Sequence, residues 1–352
     1  MRDKTKNLYD PNRFSRLRTF LPKRVEFIAL LLIKKVAYVA LMLFAISVLS
    51  FVVVNAAPNN FFYGGDLNPN MTAENIERLK AVYGLDKGLS ERYFSWLKAI
   101  LRLDFGISFV NGKPVGDEIV NRLGVTMTIS LTSMALTFAF SLWLGIKAGL
   151  SGGKFFDRFC KQAALISYAF PSFYLALLLV MVFSVWLGWF PIAGLESAQA
   201  KSGVWRYADM AWHLALPIAV VVLGGFGSLT LYIRALTVEI AKSDYVFYAQ
   251  ARGLKQSVII RRYIIPNLYP PIVTILGLSL PGVIGGSVIL ESVFSINGTG
   301  LLFYQSALSR DYPTIMGVLI IGAFLTLLGN IIADLVLLKL NPYYRAGIAN
   351  GR

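Results

Sequence analysis

The sequence predicts an all-α integral membrane protein with six transmembrane helices and both termini on the cytoplasmic side. Three observations predict it. The 352-residue chain is 56% hydrophobic and only 15% charged, with a mean hydropathy of +0.61, whereas a soluble domain is about a quarter charged and under half apolar. Six stretches, 36–54, 123–146, 162–195, 211–233, 263–290 and 313–333, contain no Asp, Glu, Lys or Arg. Each reaches at least about the 20 residues that a helix needs to cross ~30 Å of hydrocarbon. The net charge of +15, which in a soluble protein would suggest nucleic acid, is also unevenly spread. Segments 1–35, 147–161, 234–262 and 335–352 hold 23 basic against 6 acidic residues, a balance of +17. Segments 55–122, 196–210 and 291–312 balance at −1, and Asp334 supplies the rest. By the positive-inside rule the first set faces the cytoplasm.

The elements follow in chain order. Residues 1–25 form a polar, basic cytoplasmic tail with no sustained helical pattern, solvated or held at lipid headgroups. Residues 26–35 (EFIALLLIKK) hold seven consecutive apolar residues, too few to span, and suit an interfacial elbow helix. The first span, 36–54, is longer than a cleavable signal core and is read as an uncleaved anchor. Residues 55–122, with eight charges of each sign, form the extracytoplasmic loop. The run 162–195 is too long for one upright span and too short for two, and Gly188-Trp189-Phe190-Pro191 ends its helix near Leu187. Residues 339–352 are a cytoplasmic tail.

The chemistry is sparse. Cys160 and His213 are the sole cysteine and histidine, which excludes an intrachain disulfide and a Cys/His metal site. GLSGGK at 149–154 approaches a nucleotide loop, but Ala148 stands where the first glycine belongs and Phe155 where Ser or Thr would hold magnesium. Gly298-Thr299-Gly300 begins like a dinucleotide fingerprint, yet residue 303 is Phe and no strand precedes it. No run has an ionisable residue at mid-depth, where proton or cation relays need them. His213 and Asp334 sit near helix ends. The expectation is a passive conduit, not an enzyme, with no cofactor or metal of its own and its energy supplied elsewhere.

Within the spans, Thr126, Ser130, Ser133, Thr137 and Ser141 recur at helical spacing and share a face. That stripe either lines a polar path or bonds neighbouring helices. Ser279, Gly282 and Gly286 form a small-residue face with a GxxxG step, suited to close helix approach. Pro171, Pro217, Pro266, Pro270, Pro271 and Pro281 favour kinks. Segment 234–266 has a helical stretch ending near Arg252, then Gly253 as a left-handed cap, then a basic helical stretch from Lys255. This is either a helix-turn-helix whose Tyr245, Phe247, Tyr248 and Leu254 plug a partner's groove or a membrane-surface loop.

At this segment the chain resembles prokaryotic ABC-transporter permeases, whose loop motif places Glu-Ala-Ala three residues before a glycine and a proline thirteen residues after it. Gly253 and Pro266 keep that interval, while Phe247, Tyr248 and Ala249 occupy the Glu-Ala-Ala positions and only Ala249 matches. Asp244-Tyr245-Val246 is similar to the opening of the loop in the dipeptide, oligopeptide and nickel branch. Further resemblance to the first permease of that branch lies in YGLDKGL at 83–89, LDFGISF at 103–109, YAFPSFYLALLL at 168–179 and LGWFPIAG at 187–194. It continues in ILESVFSINGTGLLFYQSALSRDYPTIMG at 289–317 and ADLVLLKLNPYYR at 333–345, so it covers roughly 27–345. Asn341-Pro342 replaces the family's usual Asp-Pro, and Gly298-Thr299-Gly300 its frequent Gly-Leu-Gly.

The resemblance implies a type I ABC importer permease fold, with a permease domain over 123–338 and residence in a prokaryotic cytoplasmic membrane. It implies a second homologous permease, two ATPase subunits carrying ATP and magnesium, and an extracytoplasmic substrate-binding protein, with no nucleic acid. Residues 244–256 would form the coupling helix, with Asp244, Tyr245, Phe247, Tyr248, Ala249, Arg252, Gly253, Leu254 and Pro266 as the coupling loop. Peptides are the expected cargo. Nickel chelates or oligosaccharides are the alternative within the same architecture, and an ion-driven transporter or membrane enzyme the alternative outside it.

Overall fold

The computed structural model describes residues 12–56, 87–199, 202–285 and 288–340. Among these the chain is helical, apart from an isolated antiparallel bridge between Ile107 and Pro114. In order come α1 (Asn12–Ala56), α2 (Leu89–Ile100), α3 (Val115–Leu150), α4 (Phe155–Ala169), α5 (Ser172–Leu179) and α6 (Val204–Ala241). There follow α7 (Asp244–Ala251), α8 (Gln256–Ile259), α9 (Ile265–Gly285), α10 (Val288–Val293), α11 (Thr299–Ser309) and α12 (Tyr312–Leu340). Wide π-helical turns extend α5 through Val180–Trp186 and join α8 to α9 through Ile260–Ile264.

Four stretches, Ile33–Ala56, Val115–Leu150, Val204–Ala241 and Tyr312–Leu337, are long and apolar enough to cross a membrane, and α4 with α5 makes a fifth if its bent legs count as one span. The run 263–290 falls largely in the 21-residue α9. The helices overshoot the charge-free runs. At 36 residues α3 is about 54 Å long by its rise, well beyond ~30 Å of hydrocarbon, so its first turns carry Asp117 and Glu118, favourably placed at the positive end of the helix dipole. The bend between α4 and α5 is 101°. Pro171 explains its position: Phe170 before it is extended (φ −90°, ψ 129°), as a residue preceding proline tends to be, and α5 restarts directly after.

The elbow expectation is corrected. Helix α1 runs unbroken from Asn12 to Ala56, so residues 26–35 continue into the first span instead of forming a separate element, and the helix reaches into the 1–25 tail. No glycine interrupts this stretch to end a turn.

Helices α3 and α6 pack along their length and run parallel, their contacts advancing together. At the C-terminal end of α3 they all but touch. A Cβ added to Gly145 would stand 2.8 Å from Ile233 Cβ, and one added to Gly149 would stand 2.7 Å from Thr237 Cβ. This Gly145-x-x-x-Gly149 step is a close helix approach in the chain. The step anticipated at Gly282 and Gly286 is not seen as such: a Cβ at Gly282 would meet nothing within 4 Å, and Gly286 lies outside the described residues. Two apolar clusters flank the middle of the bundle. One gathers Ile129, Ala176, Leu214, Leu216, Val220, Leu290, Phe294 and Ile296; the other gathers Ile233, Val246, Ala249, Ile259, Ile264, Leu268 and Ile272.

Two polar ties complete the frame. Asp311, buried between α11 and α12, accepts hydrogen bonds from the Ser108 hydroxyl, the Phe109 N–H (3.0 Å) and the Thr314 hydroxyl (2.8 Å), pinning the 104–114 loop to the bundle. Asp334 on α12 forms an ion pair with Lys35 on α1. That pairing explains the one acidic residue the charge count had left over.

Candidate functional site

A cavity of about 560 Å³ opens between the two apolar clusters, walled by α3, α6, α9 and α10. Its wall is mostly apolar, with hydroxyls of Ser130, Thr137, Ser228, Tyr232 and Ser279 set into it. A conduit for a polar cargo needs such a surface: few fixed partners, so that nothing binds too tightly to leave. The hydroxyl stripe of α3 divides here. At 100° per residue all five hydroxyls fall within about 80° around the helix, so rotation alone does not sort them. Ser130 and Thr137 face the cavity, whereas Thr126, Ser133 and Ser141 are fully buried. The Ser141 hydroxyl bonds Phe226 O (3.2 Å) one turn before Gly145, where α3 and α6 have already converged. Ser279 and Gly282 line the cavity from α9, and the Ser279 hydroxyl is retained by Ile275 O at 2.8 Å.

The feature that sequence reasoning missed is Glu291. It had counted as an extracytoplasmic charge just past an apolar run, but the carboxylate is 2% exposed and lines the cavity. Oε2 accepts the N–H groups of Gly300 (2.7 Å) and Leu301 (3.0 Å), capping the first turn of α11, and Oε1 accepts the Thr126 hydroxyl (2.9 Å). Thr126 Oγ1 in turn accepts the Thr299 N–H at 2.9 Å. A Cβ on Gly298 or Gly300 would lie 2.4 or 2.9 Å from Glu291 Oε2, so the Gly-Thr-Gly that resembled a nucleotide motif is instead the space this carboxylate occupies. One turn up α3, Arg122 Nε donates to Asn297 Oδ1 (2.7 Å) and its guanidinium pairs with Glu118. The signal was present in the sequence as a lone carboxylate followed by Gly-x-Gly at seven and nine residues, but its partner Thr126 is 165 positions away.

The second site is the hairpin at the far end of α6. After Lys242 and Ser243, α7 buries Val246 and Ala249, three residues apart, into the apolar cluster with Ile233 and Ile264. The opposite face is bare. Phe247 and Tyr248 are 64% and 66% exposed, Tyr245 is 41% exposed, and Asp244 and Arg252 are also exposed. Gly253 takes φ +73°, with its N–H on Gln250 O, and Leu254 turns back into the cluster. The helix therefore covers 244–251, not 244–256: the chain breaks over 252–255 and α8 starts at Gln256. Pro266, in the first turn of α9, follows the wide π turn by one residue and is exposed. The hairpin's base is braced by Asp157, fully buried on α4, which pairs in two-pronged fashion with Arg234 on α6 and accepts the Gly153 N–H at 3.0 Å.

Residues 108–346 match the family "Binding-protein-dependent transport system inner membrane component", and residues 28–132 match its N-terminal companion, "Binding-prot-dependent transport system membrane comp, N-term". The chain is 34% identical over 307 residues to the oligopeptide transport system permease protein AppB of Bacillus subtilis (strain 168), covering 86% of this chain and 94% of that one. It is 33% identical to the inner membrane ABC transporter permease protein YejB of Escherichia coli O157:H7, covering 82% and 80%. It is 31% identical to the glutathione transport system permease protein GsiC of Escherichia coli (strain K12), covering 86% and 94%. Among solved structures, an inward-facing MetNI methionine ABC transporter aligns with a TM-score of 0.45 and 17% identity over 62% of this chain and 95% of that one.

Proposed function

The chain belongs to the family of binding-protein-dependent transport system inner membrane components, and on that premise we propose that it forms half of the path by which an ATP-binding-cassette importer moves peptides across the cytoplasmic membrane. Relatives named for oligopeptide and glutathione transport support the cargo class. In this reading the cavity with Ser130, Thr137, Ser279 and Gly282 on its wall is one side of the path, and a second homologous permease supplies the other. Separate ATPase subunits take α7 into a cleft, and an extracytoplasmic binding protein delivers the peptide.

One observation carries the mechanism. Helix α6 holds cavity-lining residues from Val221 to Tyr232 and, two residues past its end, the exposed aromatic face of α7. A movement of α7 is thus delivered to the cavity wall through one continuous helix, with the Arg234–Asp157 pair transmitting it to α4. ATP binding draws the ATPases together and carries α7 with them; the bundle then opens away from the ATPases, and hydrolysis resets it.

The test is Gly253→Val. A Cβ there meets nothing within 4 Å, so the penalty is purely the left-handed backbone, about 1–3 kcal/mol for a residue that avoids it. Membrane insertion and complex formation are expected to survive, while ATP-dependent peptide uptake into proteoliposomes containing all partners falls at least several-fold. Unchanged uptake would falsify the coupling assignment.

A further inference from the structure

The cavity ends, on the side away from α7, at α10, and that end is fastened by apolar packing and by a small set of polar contacts. Leu290 and Glu291 line the cavity there. From Glu291 the chain turns through Ile296, whose N–H returns to Glu291 O at 2.9 Å, and enters α11 on the two N–H groups held by the same carboxylate. This stretch is one unit built around Glu291. Its polar attachment to α3 is made at two points a helical turn apart: Arg122 to Asn297, and Thr126 to Glu291 and Thr299. The Thr126 hydroxyl is saturated, donating once and accepting twice, and is fully buried. The remaining contact there is apolar, between Ile129 and Leu290, Phe294 and Ile296 and between Val115, Ile119 and Leu302.

We propose that the Thr126–Glu291 clasp is the releasable seal of the cavity on the side away from the ATPases, with Glu291 as its positioning residue. It holds the α10–α11 unit against α3 in the resting transporter, and it parts when the cavity opens to receive cargo. Removing either partner leaves the other buried and short of a bond, which favours the parted arrangement in which water satisfies it. This inference rests on the reading of the cavity as the path.

The experiment uses the assembled transporter in proteoliposomes. Cys160 is the only cysteine of this chain and is buried, so Cys160→Ser leaves Ser130→Cys as its one thiol, and label is read on this chain after separation from its partners. Labelling by a membrane-impermeant methanethiosulfonate from the side away from the ATPases, without ATP, is expected to be slow when the clasp is intact. Thr126→Val and Glu291→Gln are each expected to raise its rate about tenfold, the shift that one lost hydrogen bond to a charged group represents, and Thr126→Ser to restore the slow rate. Thr126→Val changes shape least and carries the test should Glu291→Gln fail to assemble. If trapping the ATP-bound state speeds labelling but Thr126→Val leaves the resting rate unchanged, the clasp is wrong and the path reading stands. If Ser130→Cys labels in no state, the path reading falls and the clasp with it.

Discussion

The Thr126 level and the glycine level of α3 are fastened by different kinds of contact, and the cavity lies between them. At the N-terminal end Arg122 and Thr126 hold the α10–α11 unit through a handful of directional bonds. At the C-terminal end Gly145 and Gly149 let the helix lie against Ile233 and Thr237 of α6 with no room for a methyl group. A hydrogen bond weakens steeply over small changes in angle or length, whereas close-packed surfaces share their attraction among many atom pairs and give way only together. The first turns of α3 are close-packed too, with Val115 and Ile119 against Leu302 and Gly317, so the contrast is between the few bonds at Thr126 and the direct helix contact at Gly145 and Gly149.

Three substitutions break or sharpen that contrast. The largest effect belongs to Arg234→Leu at the tight end, which strands the buried Asp157 carboxylate. Removing one member of a buried pair costs about 3–5 kcal/mol, so the complex is expected to be lost on size-exclusion chromatography in detergent. Gly145→Val comes next. Overpacking of this kind costs about 1–3 kcal/mol, read as a lower thermal midpoint, and a midpoint equal to wild type would show that the glycine contact is not tight. Arg122→Ala at the other end is expected to cost least, about 1 kcal/mol, because Lys113 still faces Glu118 at 3.7 Å. Its midpoint shift should shrink further at high salt, while that of Gly145→Val should not.

Much of the bundle could be read from the chain alone because a bilayer leaves backbone no choice but to bond within its own helix, so charge-free length and helix coincide. Gly253 was readable for a similar reason: a glycine at the end of a helical pattern has one common use. What the pattern could not supply was anything set by contact between distant segments. Pro171 announces a break but not the 101° through which the chain turns there. The overshoot of α3 to Val115 was hidden because charges outside the bilayer are as compatible with a helix as with a loop. Within one stripe of hydroxyls, Ser130 and Thr137 line the cavity while Thr126 and Ser133 lie in the packing, and only the neighbours' positions decide which is which. Glu291 looked like an outer charge because its surroundings come from α3 and α11, not from its own flank.

The pair between Lys35 and Asp334 has a further consequence for the first span. Over residues 33–56 the outward surface of α1 is largely aliphatic, with Val36, Leu41, Leu49 and Val52 all more than half exposed. Against lipid such a surface is indifferent to height, and a helix of this kind can ride up, sink or tilt at little cost. The two charges remove that indifference, since separating them would leave each in hydrocarbon unless it reached water. At the opposite end of α1 the Ser47 hydroxyl meets Tyr93 of α2 at 2.8 Å. Between these two fixed points the first span acts as a gauge rod, tying the height of α12 along the bundle to that of α2.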